Sequence, residues 1–246
     1  MTDMPVTANI PVVILAGGDL VDLQGMQKPK AAIEVGGRPM LVHVVDHYRA
    51  FGFRRFFVCS GSGHEEVVTV AKNAGKRGAG EGFSIEVVDT GESAGTARRL
   101  REAFRRFPSD GTIAFSYVDI VSNVDITAVL ETHVAETATA TLTAVNLPTR
   151  FKPLGVNHFT ARVLGVANKP ITKDTLVSGG FYFVDHTRLA EAVPDWHAHE
   201  NFEQETLPTL AAQARLFYHK HDGYWQPIDS QRDVRMAEKY LAEEQS

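Results

Sequence analysis

Four apolar runs, each followed by a polar turn and then an amphipathic stretch, recur through the first 145 residues, and they constrain the fold more than any other feature. They are PVVILA (11–16), FRRFFVCSG (53–61), FSIEVVDTG (83–91) and GTIAFSYVDI (111–120). The first is apolar at every position, as a strand buried on both faces of a parallel sheet must be. Between the runs lie segments with helical spacing of apolar residues: 39–50, 64–78, 97–107 and 125–137. Alternation of this kind predicts a doubly wound α/β sheet flanked by helices, with a further strand at 138–147. Ligands of such sheets bind beyond the carboxyl ends of the strands. Gly17-Gly18, Ser60-Gly61, Thr90-Gly91 and Asp119 are therefore expected to converge.

Beyond residue 146 the alternation breaks. Segments 162–170 and 176–185 read as strands of a mixed or antiparallel addition, 202–213 as a helix, 214–223 as a short strand and turn, and 229–245 as a closing helix. Ser230 with Asp233 three residues on has the form of an N-cap and its acidic N3 partner. No repeat and no linker separates autonomous domains, so the 246 residues are expected to form one unit.

Composition excludes several classes. Thirty acidic against 25 basic side chains give a net charge of −5, unlike a nucleic-acid-binding surface. The arginines of ARRLREAFRRF read as a solvated helix face. A lone cysteine, Cys59, rules out an intrachain disulfide framework and reads as a core thiol. No signal peptide or bilayer-length apolar run is evident, so a soluble, cytoplasmic protein without membrane contact is expected. The ten histidines are scattered, and His219 and His221 lack a third ligand for zinc. No G-x-S-x-G elbow occurs.

Several stretches carry chemistry. Gly17-Gly18 lets backbone N–H groups approach phosphate, although the sequence that follows is neither a dinucleotide fingerprint nor a Walker A loop. In Lys28-Pro29-Lys30, Lys28 is placed to reach a triphosphate and Lys30 to face solvent or a sugar phosphate. Asp119 lies where a buried strand meets the crevice. A hard cation such as Mg²⁺ needs a second carboxylate, and Asp229 is the candidate, with helix capping as its structural alternative. Glu203 and Glu205 open a helix, where they favour its positive end or accept sugar hydroxyls. Lys169 is either a phosphate contact or a surface lysine. Gly179-Gly180 inside a strand marks a bulge or a close ligand.

The motifs VVILAGG (12–18), KPKAAIEVGGRPML (28–41), VVDTGE (87–92), FSYVDI (115–120), NKP (168–170), SGGFYFVD (178–185), FEQETL (202–207) and GYWQPIDSQRD (223–233) run through nearly the whole chain in one order. On these the sequence resembles the sugar-1-phosphate nucleotidylyltransferases, and the GYWQPIDSQRD ending favours their cytidylyl branch. The resemblance implies a Rossmann-like, mostly parallel mixed sheet of the nucleotide-diphospho-sugar transferase type with a small β-rich sugar-side addition. It implies a nucleotide-binding half at 11–145 and a sugar-phosphate-binding half at 146–246. The implied reaction takes a nucleoside triphosphate, CTP first, and a sugar 1-phosphate or related cyclitol phosphate to NDP-sugar and pyrophosphate, with Mg²⁺. Lys28, Asp119 and Asp229 would be catalytic, with Asp119 and Asp229 the metal ligands. Gly17, Gly18, Ser60, Gly61 and Arg98 would hold the nucleotide, and Lys169, Gly179, Gly180 and Glu203 the sugar phosphate. Members of the family often assemble, which makes 146–177 a candidate homo-oligomer interface.

The sequence also departs from the family. Leu20-Val21-Asp22 stands where Gly-Thr-Arg usually cradles the outer phosphates, and an acid there repels them. Gly95-Thr96-Ala97-Arg98 replaces Thr-Gly-Gly-Arg, Val118 and Ile120 flank Asp119 in place of glycines, and Asn168 stands where a glutamate precedes Lys-Pro. Two other readings therefore stay open: the scaffold turned to another reaction on a sugar or nucleotide phosphate, and a catalytically silent binding protein.

Overall fold

In a computed structural model the described residues are 6–23, 25–77, 82–107, 111–146, 154–157, 162–166 and 176–244. Seven strands make the main sheet: β1 (Pro11–Ala16), β2 (Arg55–Ser60), β3 (Ser84–Asp89), β4 (Thr112–Tyr117), β5 (Ala140–Asn146), β6 (Leu176–Asp185) and β7 (Leu216–His221). Their order is β7-β5-β6-β4-β1-β2-β3. Strands β3, β2, β1 and β4 run parallel, β6 is antiparallel to both of its neighbours, and β7 runs parallel to β5. The sheet is thus mostly parallel and mixed, as the resemblance implies, and its parallel part is the one that the alternation predicts.

Seven α-helices lie among the described residues: α1 (Met40–Ala50), α2 (His64–Arg77), α3 (Thr96–Phe104), α4 (Ile126–Ala135), α5 (His186–Ala192), α6 (Leu207–Ala212) and α7 (Gln231–Glu244). The continuous apolar run of β1 has its reason here. Val12, Ile14 and Ala16 pack into a core shared with α1, α2 and α4, while Val13 and Leu15 pack into a second core with α3 on the opposite face. Each fully buried aliphatic side chain contributes about 1.5–3 kcal/mol, so one strand anchors both layers. Cys59 is fully buried in the second core.

The segment 176–185 is an antiparallel strand of a mixed sheet, as expected. β6 lies in the body of that sheet, between β4 and β5. Its glycines make the bulge suspected from sequence, because its register against β5 shifts between Leu142 and Ala144. Gly180 has φ +78°, and a Cβ there would overlap Ile120. The strand Arg162–Val166 pairs antiparallel with Leu154–Asn157 as a separate hairpin. No helix among the described residues is long and apolar enough to cross a membrane.

Candidate active site

The predicted fourth strand does not run through to residue 120. Strand β4 stops at Tyr117, and after Val118 and Asp119 a short strand, Ile120–Ser122, pairs antiparallel with Trp225–Pro227. Ile228 N–H donates to the Asp119 carbonyl at 2.8 Å, which closes this ladder and delivers the next residue, Asp229, to the same place. Ser230 then caps α7. Its hydroxyl donates to the buried Asp233 carboxylate at 2.7 Å and accepts from the Asp233 N–H at 3.3 Å. Because Ser230 serves as the cap, the Asp229 side chain is available to the crevice.

Lys30 opens a 3-10 turn, Lys30–Ala32, directly after the buried Pro29. Its ammonium donates to Asp119 Oδ2 at 2.7 Å and to Asp229 Oδ1 at 2.8 Å. Burial acts to lower its pKa, but Asp119 and then Asp229 outweigh it, so the net shift is upward and Lys30 stays charged. Lys28, which the sequence reading put at the phosphates, lies two residues earlier on the strand Gln27–Lys28. That strand pairs with Val21–Asp22, placing Lys28 opposite Val21. Its ammonium is 3.9 Å from Glu66 on α2. Asp22, the acid standing where the family has a cation, accepts from the Gly25 N–H at 2.8 Å and so closes the turn of this small hairpin.

At the carboxyl ends of β1, β2 and β3 the structure singles out Arg99, which sequence reasoning passed over in favour of Arg98. Arg98 is exposed, whereas Arg99 is buried. The Arg99 guanidinium donates to the Ser60 carbonyl at 2.8 Å, to the Thr90 hydroxyl, and to the Glu92 carbonyl at 3.2 Å. It lies against both glycine sites: a Cβ on Gly17 would overlap it, and one on Gly61 would meet it at 3.1 Å. Burial lowers the guanidinium's pKa. Side-chain direction on the first turns of a helix separates Arg99 from Arg98; with Ala97 and Leu100 also buried, Arg99 falls on the inward face of α3. Gly18 follows with φ +120°, a conformation that favours glycine.

Beside Gly61 a cleft of 530 Å³ is bordered by Gly63, His64, Glu65, Glu66, Asp89, Gly91 and Glu92. Ser60 is fully buried, with its hydroxyl 2.7 Å from His64 Nδ1. Glu203 sits in the π-helical turn Phe202–Thr206 that leads into α6. It accepts from the Tyr117 hydroxyl and from the Thr96 hydroxyl at 2.7 Å. Burial, followed by the Glu203 charge, pushes the Tyr117 phenol well above its ordinary pKa. Gly179 gives its carbonyl to Trp225 Nε1 at 2.8 Å, and Gly180 packs under Ile120 and Tyr117. Lys169 and most of the 146–177 segment lie outside the described residues.

The structure thus brings Lys30, Asp119 and Asp229 into contact, and Gly17, Ser60 and Gly61 around Arg99. No group of three or more His, Cys, Asp or Glu side chains able to hold a metal occurs among the described residues. Two carboxylates converging on one cation nevertheless suit a hard divalent ion that takes its remaining ligands from phosphate and water.

A family model described as "MobA-like NTP transferase domain" matches residues 12–198. The chain belongs to this family. The glucose-1-phosphate cytidylyltransferase of Salmonella typhimurium is 33% identical over 242 residues, covering 90% of this chain and 91% of the relative. A probable glucose-1-phosphate cytidylyltransferase of Bacillus subtilis is 25% identical, with 90% and 92% covered. Among solved structures, HddC from Yersinia pseudotuberculosis complexed with GMP-PN superposes with a TM-score of 0.68 at 17% identity, covering 94% of this chain and 99% of that one. That likeness shows the fold. The MobA-like NTP transferases as a family take nucleoside triphosphates, and a divalent metal is general among nucleotidyltransferases of this kind.

Proposed function

We propose that this protein transfers a cytidylyl group from CTP to a sugar 1-phosphate, glucose 1-phosphate first among them, with Mg²⁺ held by Asp119 and Asp229. The observation that carries the reading is the Lys30 ammonium set between these two aspartates beyond the carboxyl end of β4. Its support in sequence is the 33% identity to a glucose-1-phosphate cytidylyltransferase across 90% of the chain.

The charges orient the substrates. The cleft beside Gly61 has four carboxylates on its border, Glu65, Glu66, Asp89 and Glu92. Such a border disfavours phosphate, so the phosphates belong toward Lys30 at the two aspartates, with Lys28, 3.9 Å from Glu66, at the edge between the two regions. Asp22 engages the Gly25 N–H instead of facing the phosphates as an unpartnered charge. Lys28, across the same small hairpin, supplies positive charge where the family's arginine is missing.

In the reaction an oxygen of the sugar phosphate attacks the α-phosphorus, the bond from that phosphorus to the bridging oxygen of the β-phosphate breaks, and pyrophosphate leaves. The attacking oxygen is already ionised, so no side chain need remove a proton. The chain's work is positioning and charge stabilisation. Lys30 neutralises the two aspartates in the metal-free protein, and with Mg²⁺ held by them its ammonium would be released toward the substrate phosphates. Lys28 faces the leaving group, and the Gly17-Gly18 backbone permits close approach. Bound Mg²⁺ would neutralise phosphate charge between Asp119 and Asp229. Gly179, Gly180 and Lys169 are proposed for the sugar side.

The test is pyrophosphate release with Mg²⁺, each common nucleoside triphosphate and a panel of sugar 1-phosphates. Turnover with CTP is expected, together with a loss on the order of a hundredfold or more for Asp119→Asn. Absence of release with every pair would overturn the assignment.

A further inference from the structure

The carboxylate of Glu203 links two parts of the site that the chain keeps far apart. One oxygen accepts from the hydroxyl of Tyr117, the last residue of β4 and two residues before Asp119. The other accepts at 2.7 Å from the hydroxyl of Thr96, the first residue of α3, the helix that carries Arg99. The Thr96 hydroxyl has a single proton, which it gives to Glu203 while accepting the Phe202 N–H at 2.8 Å. This fixes the direction of every bond in the chain of contacts.

The two segments are also joined through their backbones. Ala97 N–H donates to the Glu200 carbonyl at 3.1 Å, and the Arg101 guanidinium donates to the His199 carbonyl at 2.9 Å. A Cβ on Gly95 would overlap the Glu200 carbonyl oxygen, so the start of α3 fits against this segment only with glycine there. The first turn of α3 and residues 199–203 therefore behave as one body. One turn further along α3, the Arg99 guanidinium rests on Gly17 and the Ser60 carbonyl. A shift at Thr96 is carried to that guanidinium, and a shift at Tyr117 is carried to Asp119.

We propose that Glu203 is a positioning residue. Through Thr96 it sets the placement of Arg99 on the nucleotide side, and through Tyr117 it sets the strand end that presents Asp119. Each of its oxygens takes a hydroxyl donor from the protein, which holds the carboxylate between β4 and α3. This inference rests on the transferase reading above.

The two roles give different kinetic signatures, measured with CTP and glucose 1-phosphate. Thr96→Val should raise the CTP KM about tenfold and Tyr117→Phe should lower kcat about tenfold, the size expected for one lost hydrogen bond to a charged group. Glu203→Gln should do both and leave the glucose 1-phosphate KM unchanged. Adding either hydroxyl deletion to Glu203→Gln should then change little, because the three groups act as one network. A rise in the glucose 1-phosphate KM alone would overturn the inference and make Glu203 a sugar ligand. Should Glu203→Gln fail to fold, the two single variants, which retain the carboxylate, decide: unchanged constants in both overturn the inference.

The two failures separate cleanly. A wild-type protein that binds CTP by calorimetry but releases no pyrophosphate overturns the transferase reading, and the CTP affinity of Thr96→Val then tests the positioning role by itself. A wild-type protein that binds no CTP overturns both.

Discussion

Arg99 is held by the Ser60 carbonyl, the Thr90 hydroxyl and the Glu92 carbonyl, and its guanidinium fills the space above Gly17. A methyl group at Gly17 cannot be accommodated by a simple swing of the arginine, because that motion breaks charged hydrogen bonds in a buried position. Gly17→Ala should therefore destabilise the protein by about 2 kcal/mol, read as a lowered urea midpoint. Gly17→Ala combined with Arg99→Ala should cost less than the two changes added together. Strict additivity would show that the guanidinium does not occupy this space in solution. The same residue marks the limit of reading at this scale. The glycine pair is visible in sequence, but whether Arg98 or Arg99 reaches it depends on the rotation of α3 about its axis, and neighbouring arginines look alike on paper. Lys28 and Lys30 pose the same problem. Pro29 separates them, and only the turn that begins at Lys30 shows which ammonium meets the aspartates.

Helix α4 packs on the sheet through His133, which is 2% exposed and lies 3.0 Å from the Thr141 hydroxyl on β5. Its Nε2 is buried without a partner, and burial above all lowers its pKa to about 4. In the unfolded chain it titrates near 6.5, the ordinary value for histidine. The sign follows from linkage: below pH 6.5 the unfolded state takes up a proton that the folded state refuses, so stability falls as the pH drops toward 4. The contribution of His133 amounts to about 2 kcal/mol by pH 5. His47, also held at about 4 chiefly by burial, acts in the same direction. Urea denaturation at pH 7.5 and pH 5 should show a clear loss in the native protein and a smaller one in His133→Gln. Equal losses in the two would remove His133 as a source. Element types were largely legible before the structure, because burial on one or both faces leaves a period in the sequence. Where an element stops was less so. The run 111–120 reads as one strand, yet the chain leaves the sheet after Tyr117 and pairs instead with Trp225–Pro227, a contact between residues more than a hundred positions apart.

At the scale of the whole molecule, β6 decides how the two halves relate. It inserts between β4 and β5, so the sequence after residue 146 completes the sheet begun before it. We expect the full chain to unfold in one transition, with tryptophan fluorescence from Trp196 and Trp225 coinciding with far-ultraviolet circular dichroism. A chain ended at residue 146 should show no cooperative transition, because β4 would lose its antiparallel neighbour and β5 its link to the sheet. Cooperative folding of that fragment would establish the first half as an autonomous domain. What the sequence determined by itself was the layered α/β class, the glycine turn after β1, and the two acids Asp119 and Asp229 as candidate partners. Each of these rests on local chemistry: strand periodicity, backbone freedom at glycine, and carboxylates beside turns. What only the tertiary structure decided was the company each residue keeps. Lys30 sits between Asp119 and Asp229, Arg99 on Gly17, and Glu203 between Thr96 and Tyr117. The physical reason is that these contacts are non-local. They are set by strand order, by the short ladder that carries Asp229 to Asp119, and by the rotation of α3, none of which leaves a period in the chain.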